Sequence, residues 1–463
     1  MLEVEAAIQK AILARDSFNT WQTAQVSTLL EEIADALDLA AEELVGLALK
    51  ETNLPEGRLS GEVGRMTGQW RHMAAALDRG KYLNIIKDPA DSSLQPPRPD
   101  LRKSSVPIGI VGVFGASNFP FAFGVGGCDT ASAIAAGCPV LIKSHPGHPE
   151  TSRKIFDLIR EGINRADGPE GLVNLIESFE AGIEMVKHDD VSAIAFTGST
   201  AGGRALFDIA QSRKNPIPFY GELGGLNPIF VTKETASSQS QTIAKGFLES
   251  VSLGSGQFCT KPGFLITVNA SKIKQEIVNL IASIKTHPML NEKIRTSYEA
   301  KLENYLELGF TKLIAQGMRS DQEIQPVSIL EISGADLLSN KDLALQEIFG
   351  PTAVIVNCVD STELLEVSRA FHGTLASGVH GEPTDELIEK GLLRILERIS
   401  GRVIWNSWPT GVAVTWAMHH GGPYPAATHP LFTSVGADSI KRFRRPITYQ
   451  NFPQILLPAH LKD

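Results

Sequence analysis

Three short stretches carry side chains that could do chemistry together. Residues 254–263 read GSGQFCTKPG, with Cys259 among glycines and polar residues; residues 115–121 read GASNFPF, with Asn118; residues 221–225 read GELGG, with Glu222. A thiolate that forms acyl adducts needs a hydrogen-bond donor for the developing oxyanion and a base nearby. An asparagine and a glutamate are the right types for those tasks. A cysteine is nonetheless more often a small buried packing thiol than a reactive one. On these stretches alone both readings of Cys259 stay open, whereas Cys128, Cys138 and Cys358 lack such company and read as packing thiols.

The elements that must position these residues are legible from residue 106 onward. Short apolar runs (IGIVGVFG, PVLIKS, LVNLIES, SAIAFTG, FYGEL) alternate with helical patterns near 120–136, 149–165, 179–188 and 202–213. Such alternation predicts a parallel, doubly wound sheet. Ligands of such sheets bind beyond the carboxyl ends of the strands. Here those ends carry Asn118, Lys143, the FTGST segment and Glu222. No G-x-G-x-x-G occurs, but GSTAGG opens a helix whose N-terminus could receive a phosphate.

A second alternation starts near 227 (NPIFVT, FLITV, PVSILEIS, TAVIVNCV, TLASGVHG, GRVIWNS) and predicts a second α/β domain. Residues 2 to about 80 have helical periodicity, and 85–105 read as an irregular or extended excursion. The end is Pro/Gly-rich from 421 and closes with an extended ITYQNFPQILLP, which reads as a subunit contact.

Composition bounds the partners. A chain of 463 residues exceeds one ordinary core. With a net charge of −9 and no long Lys/Arg run, a nucleic-acid partner is not expected. The cluster KRFRR at 441–445 reads as a solvated edge or a subunit contact. The four cysteines form no C-x-x-C pair and no zinc-like spacing, so no metal is expected and a reduced, cytoplasmic protein is. The N-terminus lacks the basic start and apolar run of a secretion signal, and no run of about 18 uncharged apolar residues predicts a membrane span.

Taken together, ASNFPF, FTGST, GELGG, GQFCT and EIFGP occur in that order, and the chain resembles the aldehyde dehydrogenase superfamily over nearly its whole length from residue 3. GVGGCDTASAIAAGCPV, GHPETS and HGGPYPAATHPLFTSVG are most similar to a branch holding 2-oxoglutarate semialdehyde (2,5-dioxopentanoate) dehydrogenases and an NADP-linked fatty aldehyde dehydrogenase. Against that branch the chain is short at its N-terminus and around 285–330. The resemblance implies a Rossmann-like cofactor domain (1–84 and 106–224, with part of 421–443), a catalytic α/β domain (225–420) and an oligomerisation segment (85–105 and 444–463).

The same resemblance implies Cys259 as nucleophile, Asn118 as oxyanion donor and Glu222 as the base that activates water. It implies Lys143, Gly198, Ser199, Glu347 and Phe349 as cofactor contacts. NAD-preferring relatives carry a glutamate three residues after the lysine, where it repels a 2′-phosphate. Here that position is Pro146, with Ser144, His145 and Arg204 as candidate phosphate partners, so NADP is expected and NAD remains possible. Arg65, Gln69 and Phe119 are expected to line the substrate tunnel, with Gly126 and Gly127 widening it.

The implied reaction is oxidation of 2-oxoglutarate semialdehyde through a thiohemiacetal and a thioester, in a homodimer or homotetramer. The alternatives are a broad NADP-linked dehydrogenase of aliphatic or fatty aldehydes and a catalytically silent binding relative. An enzyme passing its acyl group to coenzyme A is disfavoured by Glu222.

Overall fold

The helical periodicity of the first eighty residues becomes four helices: α1 (Leu2–Phe18), α2 (Thr23–Leu39), α3 (Ala41–Thr52) and α4 (Glu56–Arg79). The computed structural model describes residues 2–319 and 321–463. In α2 the apolar residues Val26, Leu29, Leu30, Ile33 and Leu37 recur at three- and four-residue steps and are buried together against α4. On α4, Leu59, Val63, Met66, Trp70 and Met73 form the matching buried face. Trp70 is fully buried, and its indole N–H donates to the Gly126 carbonyl at 2.8 Å.

Among the described residues, fifteen strands follow. In chain order they are β1 (Ile86–Asp88), β2 (Leu101–Pro107), β3 (Ile110–Phe114), β4 (Val140–Lys143), β5 (Val173–Ile176), β6 (Val191–Thr197) and β7 (Phe219–Glu222). Then come β8 (Pro228–Val231), β9 (Phe264–Val268), β10 (Lys312–Gln316), β11 (Ser328–Ser333), β12 (Thr352–Cys358), β13 (Thr374–His380), β14 (Ser400–Trp405) and β15 (Arg444–Gln450).

The first five-stranded sheet has the order β5-β4-β3-β6-β7, all parallel. The reversal of direction in that order lies at β3, where a doubly wound sheet opens its ligand crevice. A seven-stranded sheet follows with the order β10-β11-β12-β9-β8-β13-β14, parallel except for β10. The third sheet is the antiparallel ribbon β1-β2-β15.

The irregular or extended stretch expected over 85–105 contains β1 and most of β2, with the closing strand β15 laid along β2. The stretch after β3 needs correction. The helix expected over 120–136 spans only Cys128–Ala135, because 120–127 is a chain of buried turns.

Gly126 and Gly127 lie in that turn region, and neither widens a channel. A Cβ at Gly126 would meet Met66 Sδ at 2.8 Å and Ile155 Cγ2 at 2.9 Å, and one at Gly127 would meet the Ala122 carbonyl oxygen at 2.6 Å. These glycines let the Phe-rich turn pack tightly on α4 and on the helix Pro149–Arg165. Gly126→Val is therefore expected to cost about 1–3 kcal/mol of stability through overpacking, seen as a lower thermal midpoint. Full stability with altered KM for bulky substrates would instead restore the channel reading.

Candidate active site

Glu222, the last residue of β7, is 4% exposed. Three groups reach its carboxylate. His420 Nε2 donates to Oε1 at 2.9 Å, Ser434 Oγ donates to Oε2 at 2.6 Å, and the Cys259 thiol lies alongside. The same His420 nitrogen is 3.6 Å from Cys259 Sγ. Burial pushes the Glu222 carboxyl up, but His420, Ser434 and Cys259 outweigh it and hold the pKa below its ordinary value. The Cys259 thiol moves the other way, pushed well above 9.0 by burial and by the adjacent carboxylate. The thiol hydrogen and the imidazole N–H thus both lie against one carboxylate.

The segment carrying His420 and Ser434 is fixed to β7. Leu223 N–H donates to Ala426 O at 2.8 Å, and Gly221 N–H to Thr428 Oγ1 at 2.8 Å. Inside the segment, Ser434 N–H donates to His420 O at 2.8 Å and His420 N–H to Thr433 Oγ1 at 2.9 Å.

The loop before Cys259 explains its glycines. Gly254, Ser255 and Gly256 have φ values of 58°, 53° and 69°, an unusual left-handed run. At Gly256 a Cβ would stand 2.1 Å from the Gly350 carbonyl oxygen, so only glycine lets this loop lie on the EIFGP segment. Ser255 Oγ donates to His287 O at 2.7 Å. Asn227 Nδ2 donates to Cys259 O at 2.8 Å and to Lys261 O at 3.0 Å, which holds the cysteine carbonyl in place. Lys261 is buried, its ammonium donates to the carbonyls of Ile348 and Thr352, and burial brings its pKa down to about 8 against the opposing pull of Glu347.

Asn118 Nδ2 donates to Gln257 O at 3.0 Å, which ties the GASNFPF turn to the cysteine loop. An amide nitrogen carries two hydrogens, so one remains for another acceptor. His148, absent from the sequence expectations, braces the same turn through Nε2 and Ala116 O at 3.0 Å.

The expected tunnel residues converge on α4. Phe119 stands edge-on to Phe258 at 5.1 Å and to Phe123 at 5.6 Å. Arg65 lies over the rings of Phe119 and Phe123 at 5.7 and 5.3 Å. Gln69 is fully buried, and its Nε2 donates to Ala122 O at 3.1 Å, so it shapes the turn.

Sequence reading missed Arg58, two helical turns before Arg65. Its Nη2 donates to the Asn118 carbonyl, and its guanidinium lies between Phe119 and Phe258 at 4.8 and 4.9 Å. A cation seven residues earlier on the face that carries Arg65 was the available signal. Between them Glu62 accepts from the Phe121 and Ala122 N–H groups at 2.9 and 3.0 Å, and burial pushes its carboxyl up.

The expected cofactor residues line the strand ends of the first sheet. Lys143 is buried at the end of β4, with its ammonium on the Ser144 carbonyl and its pKa lowered by burial. Ser144 is buried too, and burial beside His148 and Lys143 brings His145 down to about 3, which keeps its ring neutral. Gly198 N–H donates to Glu222 O at 3.1 Å. Ser199 caps the helix Thr200–Ser212 by accepting from Gly202 N–H at 3.3 Å.

Thr197 Oγ1 is buried there with no partner among the described residues. An orphaned hydroxyl, a capped helix start and a desolvated lysine fit a dinucleotide. Arg204 stands apart, exposed and paired with Asp208 at 2.8 Å. Glu347 lies against the backbone of Gly224, with its carboxyl pushed up by burial, and the next-but-one residue Phe349 is partly buried.

A family model described as "Aldehyde dehydrogenase family" matches residues 2–423. The chain belongs to the aldehyde dehydrogenase family. Among curated relatives, alpha-ketoglutaric semialdehyde dehydrogenase 2 of Azospirillum brasilense is 38% identical over 99% of this chain and 89% of that protein. An alpha-ketoglutaric semialdehyde dehydrogenase of Acinetobacter baylyi is 39% identical over 100% of this chain and 89% of that one.

Among solved structures, glyceraldehyde-3-phosphate dehydrogenase GapN of Methanocaldococcus jannaschii complexed with NADP has a TM-score of 0.81 at 21% identity, covering 96% and 93% of the two chains. A Thermus 1-pyrroline-5-carboxylate dehydrogenase with bound NAD has a TM-score of 0.82 at 21% identity, covering 97% and 86%. These two share the fold. The protein is thus an NAD(P)-dependent aldehyde dehydrogenase.

In this dehydrogenase the resting thiol is protonated, because its charged form is penalised by burial and by Glu222. Inactivation by iodoacetamide is accordingly expected to keep accelerating as pH rises past about 9, the ordinary thiol range. A plateau already reached below about pH 7 would mean a preformed thiolate and overturn this ordering. His420→Asn removes the donor that holds the Glu222 carboxylate ionised beside the thiol, and kcat is expected to fall about 10²-fold at neutral pH, with partial recovery in alkali.

Proposed function

We propose that this enzyme oxidises a carboxylate-bearing aldehyde, with 2-oxoglutarate semialdehyde (2,5-dioxopentanoate) as the reading that the names of the two curated relatives support. The observation that carries it is uncompensated charge. Arg58 Nε and Nη1 and Arg65 Nε and Nη2 are buried with no hydrogen-bond partner among the described residues. Both guanidinium groups stack on the aromatic rings beside Cys259, and the Glu62 carboxylate acts on both. Two cations against one carboxylate leave room for an anion, and a guanidinium binds a carboxylate in fork geometry. A long aliphatic tail would leave these donors unpaired, at a desolvation cost of about 1–3 kcal/mol each.

In this reading Cys259 Sγ attacks the aldehyde carbon while the thiol proton passes to the Glu222 carboxylate hydrogen-bonded to it, which releases that proton to solvent before the hydrolytic step. The free amide hydrogen of Asn118 and the Cys259 backbone N–H stabilise the oxyanion, a single donor being worth about 2.7–4 kcal/mol. Bound NAD(P) supplies the hydride acceptor, held by Lys143, Ser199, Glu347 and Phe349. Glu222 then takes a proton from the water that hydrolyses the thioester. Its low pKa keeps it ionised for that task.

Pro146 in place of an acidic residue favours NADP, with Ser144 and His145 as candidate phosphate partners. The first sheet serves the cofactor, the second carries the nucleophile, and the ribbon with its exposed Ile455 and Leu456 serves a homo-oligomer in the cytoplasm.

Arg65→Met is expected to raise KM for the acidic semialdehyde at least about tenfold, the loss of roughly 1.4 kcal/mol of pairing, with little effect on propanal. Equal effects on both would sink the clamp. Arg58 also holds the Asn118 carbonyl, so for Arg58→Gln the readout is the ratio of kcat/KM between the two aldehydes. For the cofactor, kcat/KM about tenfold better with NAD than with NADP would overturn the preference inferred from Pro146.

A further inference from the structure

We propose that Cys259 Sγ, His420 Nε2 and a Glu222 carboxylate oxygen form a binding site for Zn2+ or a similarly thiophilic divalent ion, and that its occupancy silences the enzyme. The ligand atoms of these three residues all lie within 4.8 Å of one another. Thiolate, imidazole and carboxylate are the ligand types zinc takes, and three protein ligands with a water in the fourth position is a common zinc set. The geometry is close to that of an occupied site. With Zn–S about 2.3 Å and Zn–N about 2.05 Å, a tetrahedral centre separates sulfur and nitrogen by about 3.6 Å. The observed Sγ···Nε2 distance is 3.6 Å. The imidazole-to-carboxylate edge is 2.9 Å and must open by about half an ångström to reach tetrahedral spacing.

The surroundings favour the ion further. Ser434 Oγ fixes the other oxygen of Glu222, and Thr433 fixes the His420 backbone, as outer-shell partners do at metal sites. On binding, the thiol proton leaves to solvent and the imidazole carries its proton on Nδ1. One thiolate, one carboxylate and a divalent cation then sum to zero charge. A neutral cluster suits a site where the carboxylate is 4% and the imidazole 2% exposed. Magnesium and calcium prefer all-oxygen ligand sets and are disfavoured by the sulfur. The spacing of the cysteines could not reveal this site, because its ligands come from positions 222, 259 and 420.

The inference rests on geometry and not on the choice of aldehyde, and its readouts do not need turnover. Co2+ added to the purified enzyme should produce thiolate-to-cobalt charge-transfer absorption and the visible bands of four-coordinate cobalt. The charge-transfer band should vanish in Cys259→Ser and persist in Cys358→Ser. His420→Asn should weaken Zn2+ binding, measured by calorimetry, at least about tenfold.

Without any variant, free Zn2+ at about ten times its Kd should slow alkylation of Cys259 by iodoacetamide about tenfold, since only the metal-free fraction reacts. Mg2+ at the same concentration should leave it unchanged. Equal Zn2+ affinity in wild type and a folded His420→Asn would mean adventitious thiol binding only and would overturn the site. So would an alkylation rate indifferent to Zn2+.

Discussion

The contact between His420 and Glu222 is made where water is nearly absent, and each group is the other's principal means of satisfying a buried polar atom. An isolated carboxylate in such a place would take up a proton or drag water in. With His420 and Ser434 on its two oxygens it instead stays ionised below its ordinary range. That single satisfied carboxylate joins three parts of the chain: the last strand of the first sheet, the loop before β9 of the second, and the long segment after β14. Loosening any one would strand a charge, so the polar cluster ties the ends of the two sheets together.

The opposite economy governs the aromatic pocket. There α4 delivers two guanidinium groups whose donors are only partly used, and the chain offers them one carboxylate, itself pushed toward its neutral form by burial. Folding tolerates this because Phe119, Phe123 and Phe258 offer ring faces to the cations. Cation–π contacts of that kind offset part of the desolvation cost and leave the remainder to whatever anion enters. Unpaired donors in a pocket act as negative selection, since an apolar tail meets a penalty while an acidic end meets a partner.

Legibility followed locality. Asn118, Lys143 and Glu222 could be picked out because the rule that strand ends bear ligands needs only the few residues around each. Cys259 could not be judged from its own loop, and the reason for its glycines lay 94 residues on, at Gly350. The ribbon strand β2 is legible only as irregular or extended, because LRKSSVP mixes polar and apolar residues on both faces and the two it buries are Arg102 and Ser104, which leaves no apolar period-two signature. Gly126 and Gly127 were misread for a related reason. A glycine in a sequence announces a missing Cβ without saying which neighbour occupies the space, and here it is Met66, Ile155 and backbone.

His420 is the residue that no local rule could reach. It lies 161 residues from Cys259, in a stretch without helix or strand periodicity, and its ring meets the thiol only because β7 and the 420–435 segment are laced together backbone to backbone. Its presence alters how the thiol should be understood. A partly buried cysteine beside a carboxylate is a poor nucleophile at rest, which protects it from stray electrophiles. The carboxylate that His420 keeps ionised is hydrogen-bonded to the thiol, and it offers the proposed nucleophile a place to leave its proton once a carbonyl carbon is in position. Reactivity is then conditional on substrate, and the arrangement that makes it so is also one that gathers sulfur, nitrogen and oxygen around a single point. Three side chains that share hydrogen bonds around one point form, by the same geometry, a centre that a soft cation can occupy in the protons' place.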